Sequence, residues 1–340
     1  MGRQGAKTLS GQETLLLTET EVKTLLSMKE AIGVVENAFK EKAEGKVQMP
    51  PKVYVFFPAY QGDFRVMPAY LEKSNVSGVK VVNVHPGNPR SFGLPSVMAT
   101  ITLIDPETGF PLCIMDGTWL TAVRTGAAGG VAVKHLSKED SNTVGIVGAG
   151  VQARTQLLAI NEVREISSVK VADILEDARK RYVKEVSQMM DVDIVAVNRV
   201  EEAARDSDIL VTATPARKPL VMNEWISNGT HINAIGADAP GKQELDPKIL
   251  KMGKIVVDDY EQAIHSGGID FAISKGIITR DMIHAELGEV VVGKKTGRTS
   301  REEVTIFNST GLAIQDIATA SIVYQRAKKK NVGRWIKFRS

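Results

Sequence analysis

A single cysteine, Cys113, occurs in the chain, so no intramolecular disulfide can form, and a reducing cytoplasm is the expected setting. The stretch from Met1 to Glu13 is polar and lacks the apolar centre of a secretory signal. Apolar runs such as Val97 to Ile104 fall far short of the ~20 residues of a membrane span, so no membrane association is expected. The histidines, His85, His135, His231, His265 and His284, never fall at i,i+4, and with one cysteine they support no zinc cluster; no metal is expected. A G-x-S-x-G elbow is missing, which leaves serine-hydrolase chemistry without support. Internal repeats and low-complexity tracts are absent too.

What is present describes a globular protein. The 340 residues are 43% apolar and 24% charged, enough for a sizeable core and consistent with two ordinary domains. The net charge of +3 is unevenly placed. From Arg326 onward the chain carries Arg326, Lys328, Lys329, Lys330, Arg334, Lys337 and Arg339 and no acidic residue. The remainder is mildly acidic, which gives no general argument for nucleic acid. The basic tail reads as a solvated end of the last helix, where cations complement the helix dipole.

Residues 1–13 read as a flexible extension. Thr18 with Glu21 forms a capping-box signature, and Val22, Leu25, Leu26, Ala31, Val34, Val35 and Ala38 follow at helical spacing, as two helices. From Lys46 to Ile114 short β-branched or aromatic runs (Lys52–Phe57, Gly78–Val84, Val97–Ile104, Leu112–Met115) are separated by Pro, Gly and Asn turns, a sheet-rich pattern. A small-residue helix, Thr125 to Lys134, leads into apolar strands at Val144–Val147, Val169–Ala172, Ile194–Val197, Ile209–Ala213, His231–Ile235 and Ile255–Val257. Helices at Gln152–Val163 and Glu176–Met190 lie between them, which indicates a parallel sheet covered on both faces. A last helix, about Gly311 to Lys329, needs an apolar surface to pack on, most simply the first domain. The expected fold is therefore α/β: a Rossmann-type doubly wound nucleotide-binding domain over 125–308, plus an α+β, sheet-rich substrate and dimerisation domain made of 14–124 and 309–340.

The segment Val144-Gly-Ile-Val-Gly148-Ala-Gly150-Val-Gln-Ala153 is a strand followed by G-x-G-x-x-A. Gly148 permits the tight turn, Gly150 lets backbone approach a pyrophosphate, and Ala153 lets the new helix pack close to the sheet. The next strand ends at Asp173, about twenty residues after Ala153, where an acid holds ribose hydroxyls. A carboxylate there opposes a 2′-phosphate, and Ile174 and Leu175 supply no arginine to offset it, so NAD is the expected cofactor. The segment Gly288-Glu-Val-Val-Val-Gly293-Lys294-Lys295 also approaches a phosphate-loop pattern. It has lysine where such a loop needs Ser or Thr, and its valines suit a strand or a core helix.

Three charged residues stand out. Lys80, among Val79, Val81 and Val82, is either a solvated edge residue or a desolvated amine. Arg124 opens an apolar helix, where the dipole opposes a cation; this points to an anionic ligand or to a structural ion pair. Asp238 follows a strand whose C-terminal end would line the ligand crevice, or is a turn or N-cap residue.

Together with Met49-Pro-Pro-Lys52, Met67-Pro-Ala, His85-Pro-Gly-Asn-Pro, Arg124-Thr-Gly-Ala-Ala, Gly148-Ala-Gly-Val-Gln, Gly236-Ala-Asp-Ala-Pro-Gly-Lys-Gln-Glu-Leu245 and Asn308-Ser-Thr-Gly-Leu-Ala-Ile-Gln-Asp316, these residues resemble the ornithine cyclodeaminase/mu-crystallin family from about Thr14 to the C-terminus, and within it the archaeal alanine dehydrogenase branch. The resemblance implies a homodimer that joins the sheets of its first domains and an NAD-dependent reaction at an amino-acid α-carbon. It places Lys52, Arg65, Lys80 and Arg124 at the substrate, with Lys80 also in proton transfer and Asp238 as the acid/base. It places Ser96, Arg124, Gly148, Gly150, Val151, Gln152, Asp173, Ile235, Gly236, Ala237, Asp238, Lys242 and Ser309 at the dinucleotide.

Two positions depart from the family pattern. Arg65 stands where cyclodeaminases typically carry an acid near the Met-Pro pair and would repel a cationic side-chain amine. This favours reversible deamination of L-alanine to pyruvate and ammonia over cyclisation of L-ornithine to L-proline or reduction of a cyclic imine. Asn308 replaces the Asp that many relatives have before Ser-Thr-Gly. A role in ligand binding alone is disfavoured by the joint presence of Lys80, Arg124 and Asp238.

Overall fold

A computed structural model describes residues 13–239, 241–265 and 267–337. The chain forms two compact units, one made of residues up to Leu26, Gln48–Thr121 and the chain from Asp316 on, the other of Ser27–Val47 and Ala122–Gln315. The extension expected over 1–13 lies outside the described residues except for Glu13, which opens a strand.

In the first unit the strands run in the order Arg334–Lys337, Glu13–Leu17, Pro111–Asp116, Val97–Ile104, Val76–Val84, Gly62–Leu71, with Val53–Phe57 also paired to Gly62–Leu71. Neighbours are antiparallel except Glu13–Leu17 with Pro111–Asp116. One face is buried: Arg65, Met67, Ala69 and Leu71 alternate with less buried neighbours along their strand, as a half-covered sheet requires. The final helix, Ala313–Lys330, enters this unit at Asp316. It comes close at Gly78, where a Cβ would meet Ile317 Cδ1 at 3.2 Å and the Thr102 carbonyl oxygen at 2.3 Å.

Several elements differ from expectation. Gly62–Leu71 is a ten-residue strand despite Pro68, which sits where the pairing with Val53–Phe57 has already ended at Val66. The basic tail does not simply end a helix. Lys328–Lys330 close the helix, but Arg334–Lys337 pairs antiparallel with the first strand.

The second unit carries a parallel sheet in the order Asp193–Val197, Ser168–Ala172, Thr143–Val147, Ile209–Thr212, His231–Ala234, Thr305–Asn308, Lys254–Val257, Ile283–Glu286. Its central strands are continuous buried runs, all four residues in each of Ile209–Thr212, His231–Ala234 and Thr305–Asn308, because both faces are covered there, whereas the edge strand Asp193–Val197 is mostly exposed. Strand order reverses between Thr143–Val147 and Ile209–Thr212, the topological switch where ligands bind in such sheets. Both early helices begin with a capping box, at Thr18 and Ser27, but Met28–Ala43 belongs to the second unit. There Lys42 pairs with Asp259 at 3.0 Å and with Glu286. Leu287–Val291 is a short helix, so the segment from Gly288 to Lys295 forms no phosphate loop.

Candidate functional site

The glycine loop is built as the dinucleotide reading requires. Gly148 has φ +99°, and a Cβ there would lie 2.7 Å from the Ala213 carbonyl oxygen, so only glycine fits without strain. Gly150 is extended and leads the helix Val151–Asn161 with no side-chain cap. The first amides of that helix and its positive end are thus presented to an anion. Val151 is exposed and Gln152 half-buried, while Ala153 is fully buried against the sheet. Asp173 accepts hydrogen bonds from the Ala149 amide at 2.7 Å and the Leu175 amide at 2.8 Å. The acid is therefore tied to the loop that cradles the phosphates. Arg154, which the sequence pattern does not single out, donates to the Ala149 and Gly150 carbonyls at 2.7 and 2.9 Å and to Glu185 at 2.7 Å. It braces the loop from inside the helix. This cradle fits a dinucleotide.

Two buried carboxylates organise the remaining strand ends. Glu244 accepts from the Thr214 amide and hydroxyl, the Thr212 hydroxyl and the Gly236 amide at 2.6–2.9 Å. Burial pushes its carboxyl above the usual range, against those hydrogen bonds. It locks the loop that carries Ile235, Gly236, Ala237 and Asp238. Asn308 lies in the same cavity as Glu244, of about 10 Å³, where an Asp would set two carboxylates together. Asp258, fully buried, accepts from the Thr310 amide and hydroxyl at 2.7 and 2.9 Å, the Gly311 amide at 2.7 Å and the Ser309 hydroxyl at 3.2 Å. The position of Ser309 is thus set by an acid that closes the strand Lys254–Val257.

Asp238 caps no helix. It lies in the loop after His231–Ala234, half-buried, and pairs with Lys242 at 2.6 Å. Arg124 corrects its premise: it does not open a helix but lies well inside Thr118–Leu136, which starts earlier than expected. Arg124 is 5% exposed, and its guanidinium donates to Gln315 Oε1 at 2.8 Å.

In the first unit Lys80 is fully buried, which excludes a solvated edge residue. Its Nζ stands 2.7 Å from Asp316 Oδ2. Asp316 is not among the site residues expected from the sequence. The signal was an acid on the apolar stripe of the last helix, in line with Ala320, Val323 and Ala327. Arg65 lies on the same sheet face, its register two residues from that of Lys80. It is held by Asp63 through paired hydrogen bonds at 2.8 and 3.3 Å and stacks over Tyr54 at 5.1 Å. An acid is therefore present beside Arg65, and its cation does not act alone. Lys52 directly precedes Val53–Phe57, and Ser96, half-buried, accepts from the His85 amide through its carbonyl at 2.8 Å. Among the described residues no group of acidic, His and Cys side chains could hold a metal ion, and no helix is long and apolar enough to cross a membrane.

Glycine loop, acid at the second strand end and topological switch together define a dinucleotide-binding protein of the α/β type. The chain belongs to the ornithine cyclodeaminase/mu-crystallin family, which it matches over residues 12–331. It is 56% identical, over 96% of its length and 99% of the relative's, to an alanine dehydrogenase of Archaeoglobus fulgidus. An archaeal alanine dehydrogenase dimer with bound NAD superposes with a TM-score of 0.92 at 54% identity, covering 96% of this chain and 100% of that one. A Thermococcus litoralis Δ1-pyrroline-2-carboxylate reductase in complex with NADH and L-proline gives 0.93 at 44% identity, over 94% and 99%.

Proposed function

We propose that the protein is an NAD-dependent amino-acid dehydrogenase that deaminates L-alanine reversibly to pyruvate and ammonia. The observation that carries this reading is the 56% identity with the archaeal alanine dehydrogenase over 96% of the chain. NAD would be held by the glycine loop (Gly148, Gly150, Val151, Gln152), by Asp173, and by Ile235, Gly236, Ala237, Lys242 and Ser309, with Ser96 and Arg124 as further contacts. When bound, it supplies the hydride acceptor for the substrate α-carbon. Lys52, Lys80 and Arg124 bind the substrate carboxylate, which orients the reacting C–H bond. Lys80, desolvated beside Asp316, moves a proton at its Nζ. Asp238 takes a proton from the water that adds to the imino acid, and ammonia leaves. For this its carboxylate has to exchange Lys242 for water.

A homodimer supports the same reading. Val53, Val55 and Val81 are 58%, 39% and 40% exposed on the sheet face opposite Lys80, an apolar surface suited to joining a second copy. A cytoplasmic location fits the single, buried Cys113.

The second reading, an ornithine cyclodeaminase or cyclic-imine reductase, is favoured by one observation, Asp63 beside Arg65. That acid could receive a cationic amine. NADH absorbance separates the two. Net NADH with L-alanine and NAD is expected. Proline and ammonia from L-ornithine without net NADH, or NADH oxidation on adding Δ1-pyrroline-2-carboxylate, in the absence of alanine turnover, would replace the first reading by the second.

A further inference from the structure

Lys80 sits at the centre of a sheet, between Met67 on one neighbouring strand and Ile101 on the other. At that position an apolar side chain would pack at least as well, because a buried ion pair rarely stabilises a fold more than its hydrophobic replacement does. The pair is nevertheless complete. The Lys80 and Asp316 side chains are 1% and 0% exposed at a separation of 2.7 Å. The geometry that delivers Asp316 is specific. It stands in the first turn of the final helix, where the helix dipole favours a carboxylate. The next residue, Ile317, packs on Gly78, two residues before Lys80 on the same face of the same strand. The missing side chain at Gly78 lets the helix come near enough for the carboxylate to reach the ammonium. A lysine stem has four rotatable carbons, and without a fixed partner its head group has no defined direction.

We propose that Asp316 is the positioning residue for Lys80: it fixes the direction of the Lys80 ammonium toward the substrate carboxylate and acts on the reaction only through that lysine. The proposal rests on the assignment of Lys80 to the substrate. Asp316 itself touches neither substrate nor cofactor in this scheme. Because it acts through Lys80, its loss is invisible once Lys80 is gone.

The test is a double-mutant cycle with Asp316→Asn, Lys80→Ala and the pair, each checked for folding by thermal denaturation. Asp316→Asn is expected to lower kcat/KM for L-alanine by about 100-fold, as for truncating one partner of a buried charge pair. The KM for L-alanine rises while the KM for NAD stays unchanged. The pair is expected to be no worse than Lys80→Ala alone, within about twofold. Equal losses from Asp316→Asn in the wild-type and Lys80→Ala backgrounds would overturn the proposal. Should Asp316→Asn fail to fold, Asp316→Glu keeps the charge and displaces the carboxylate by one methylene. Folded Asp316→Glu with undiminished kcat/KM overturns the proposal equally.

The same cycle is read without turnover, from oxalate binding to the enzyme–NADH complex by NADH fluorescence. Oxalate binding weakened by Asp316→Asn in the wild type but not in Lys80→Ala upholds the proposal even if L-alanine is no substrate, in which case only the functional reading falls. Unchanged oxalate affinity in folded Asp316→Asn overturns the proposal whatever the substrate.

Discussion

Gly311 lies directly against Arg124: its φ is +78°, and a Cβ built on it would stand 2.9 Å from Arg124 Nη1. Asp258 holds the Gly311 amide at 2.7 Å, so the backbone cannot yield, and a side chain there has to move the guanidinium. Gly311→Ala is expected to cost about 1 kcal/mol or more of stability from the left-handed backbone. Displacing Arg124 should raise the KM for L-alanine by about tenfold, the loss of one charge-assisted hydrogen bond. Steady-state kinetics with varied alanine checks this, and an unchanged KM would show that Arg124 does not meet the carboxylate.

Asp173 combines two tasks, holding the Ala149 amide of the glycine loop and opposing a 2′-phosphate. In Asp173→Asn the side chain retains one oxygen acceptor and loses its charge. Use of NADP relative to NAD should then rise by about tenfold, from relief of roughly 1 kcal/mol or more of repulsion. The ratio of kcat/KM values for the two cofactors measures it. No change in that ratio would remove Asp173 from the ribose site.

Glu244 accepts four hydrogen bonds, and the Thr214 and Gly236 amides, which donate to different oxygens of it, cannot reverse their direction. Glu244→Gln necessarily turns an NH2 toward one of these donors. That leaves a buried amide unsatisfied at about 1–3 kcal/mol. The variant should melt lower and bind NADH more weakly, because the Gly236–Asp238 loop loses its anchor. Calorimetry and NADH titration give the two values.

His231 is fully buried between the Thr305 hydroxyl and Asn233 Oδ1, both at 2.9 Å, and desolvation drives its pKa down to about 3 from 6.5. In the unfolded chain the imidazole takes up a proton first. Stability is therefore full above about pH 6.5 and declines as pH falls toward 3, by up to about 1.4 kcal/mol per pH unit. Glu36, whose carboxyl is held near 2 chiefly by His135, loses its contribution only below about pH 4.5. Between pH 6.5 and 4.5 Glu244, whose carboxyl burial raises, contributes with the opposite sign, so the histidine is isolated by the difference in urea stability between the wild type and His231→Gln. His231→Gln should be less stable at pH 7 and show a flatter slope across this window; an equal slope would exclude His231 as its source.

Much of the nucleotide unit was legible along the chain. Gly148, Gly150, Ala153 and Asp173 follow one another within a single strand–helix–strand, and the requirements that select them are local: a positive φ, a close approach, an acid at a strand end. The capping box at Thr18 and most of the strands were readable for the same reason. Arg124 misled because the small, apolar residues from Thr125 on suggested a helix start, whereas the helix begins at Thr118. Asp63, two residues from Arg65, shares a face with it only in a β-strand, and the strand Gly62–Leu71 is not among those expected from the sequence.

Residue types and their spacing determined a dinucleotide loop on a parallel sheet and made cations such as Lys80 and Arg124 stand out from an apolar pattern, because turn geometry and hydrophobic period are properties of neighbouring residues. Only the tertiary structure decided what state those cations are in. Whether Lys80 meets water or Asp316, Arg65 meets Asp63, and Asp238 meets Lys242 depends on which strands pair and which helix covers them. These contacts join segments that the linear order leaves far apart or faces that it leaves unassigned, and complete burial turns the Lys80–Asp316 pairing into a strong electrostatic constraint.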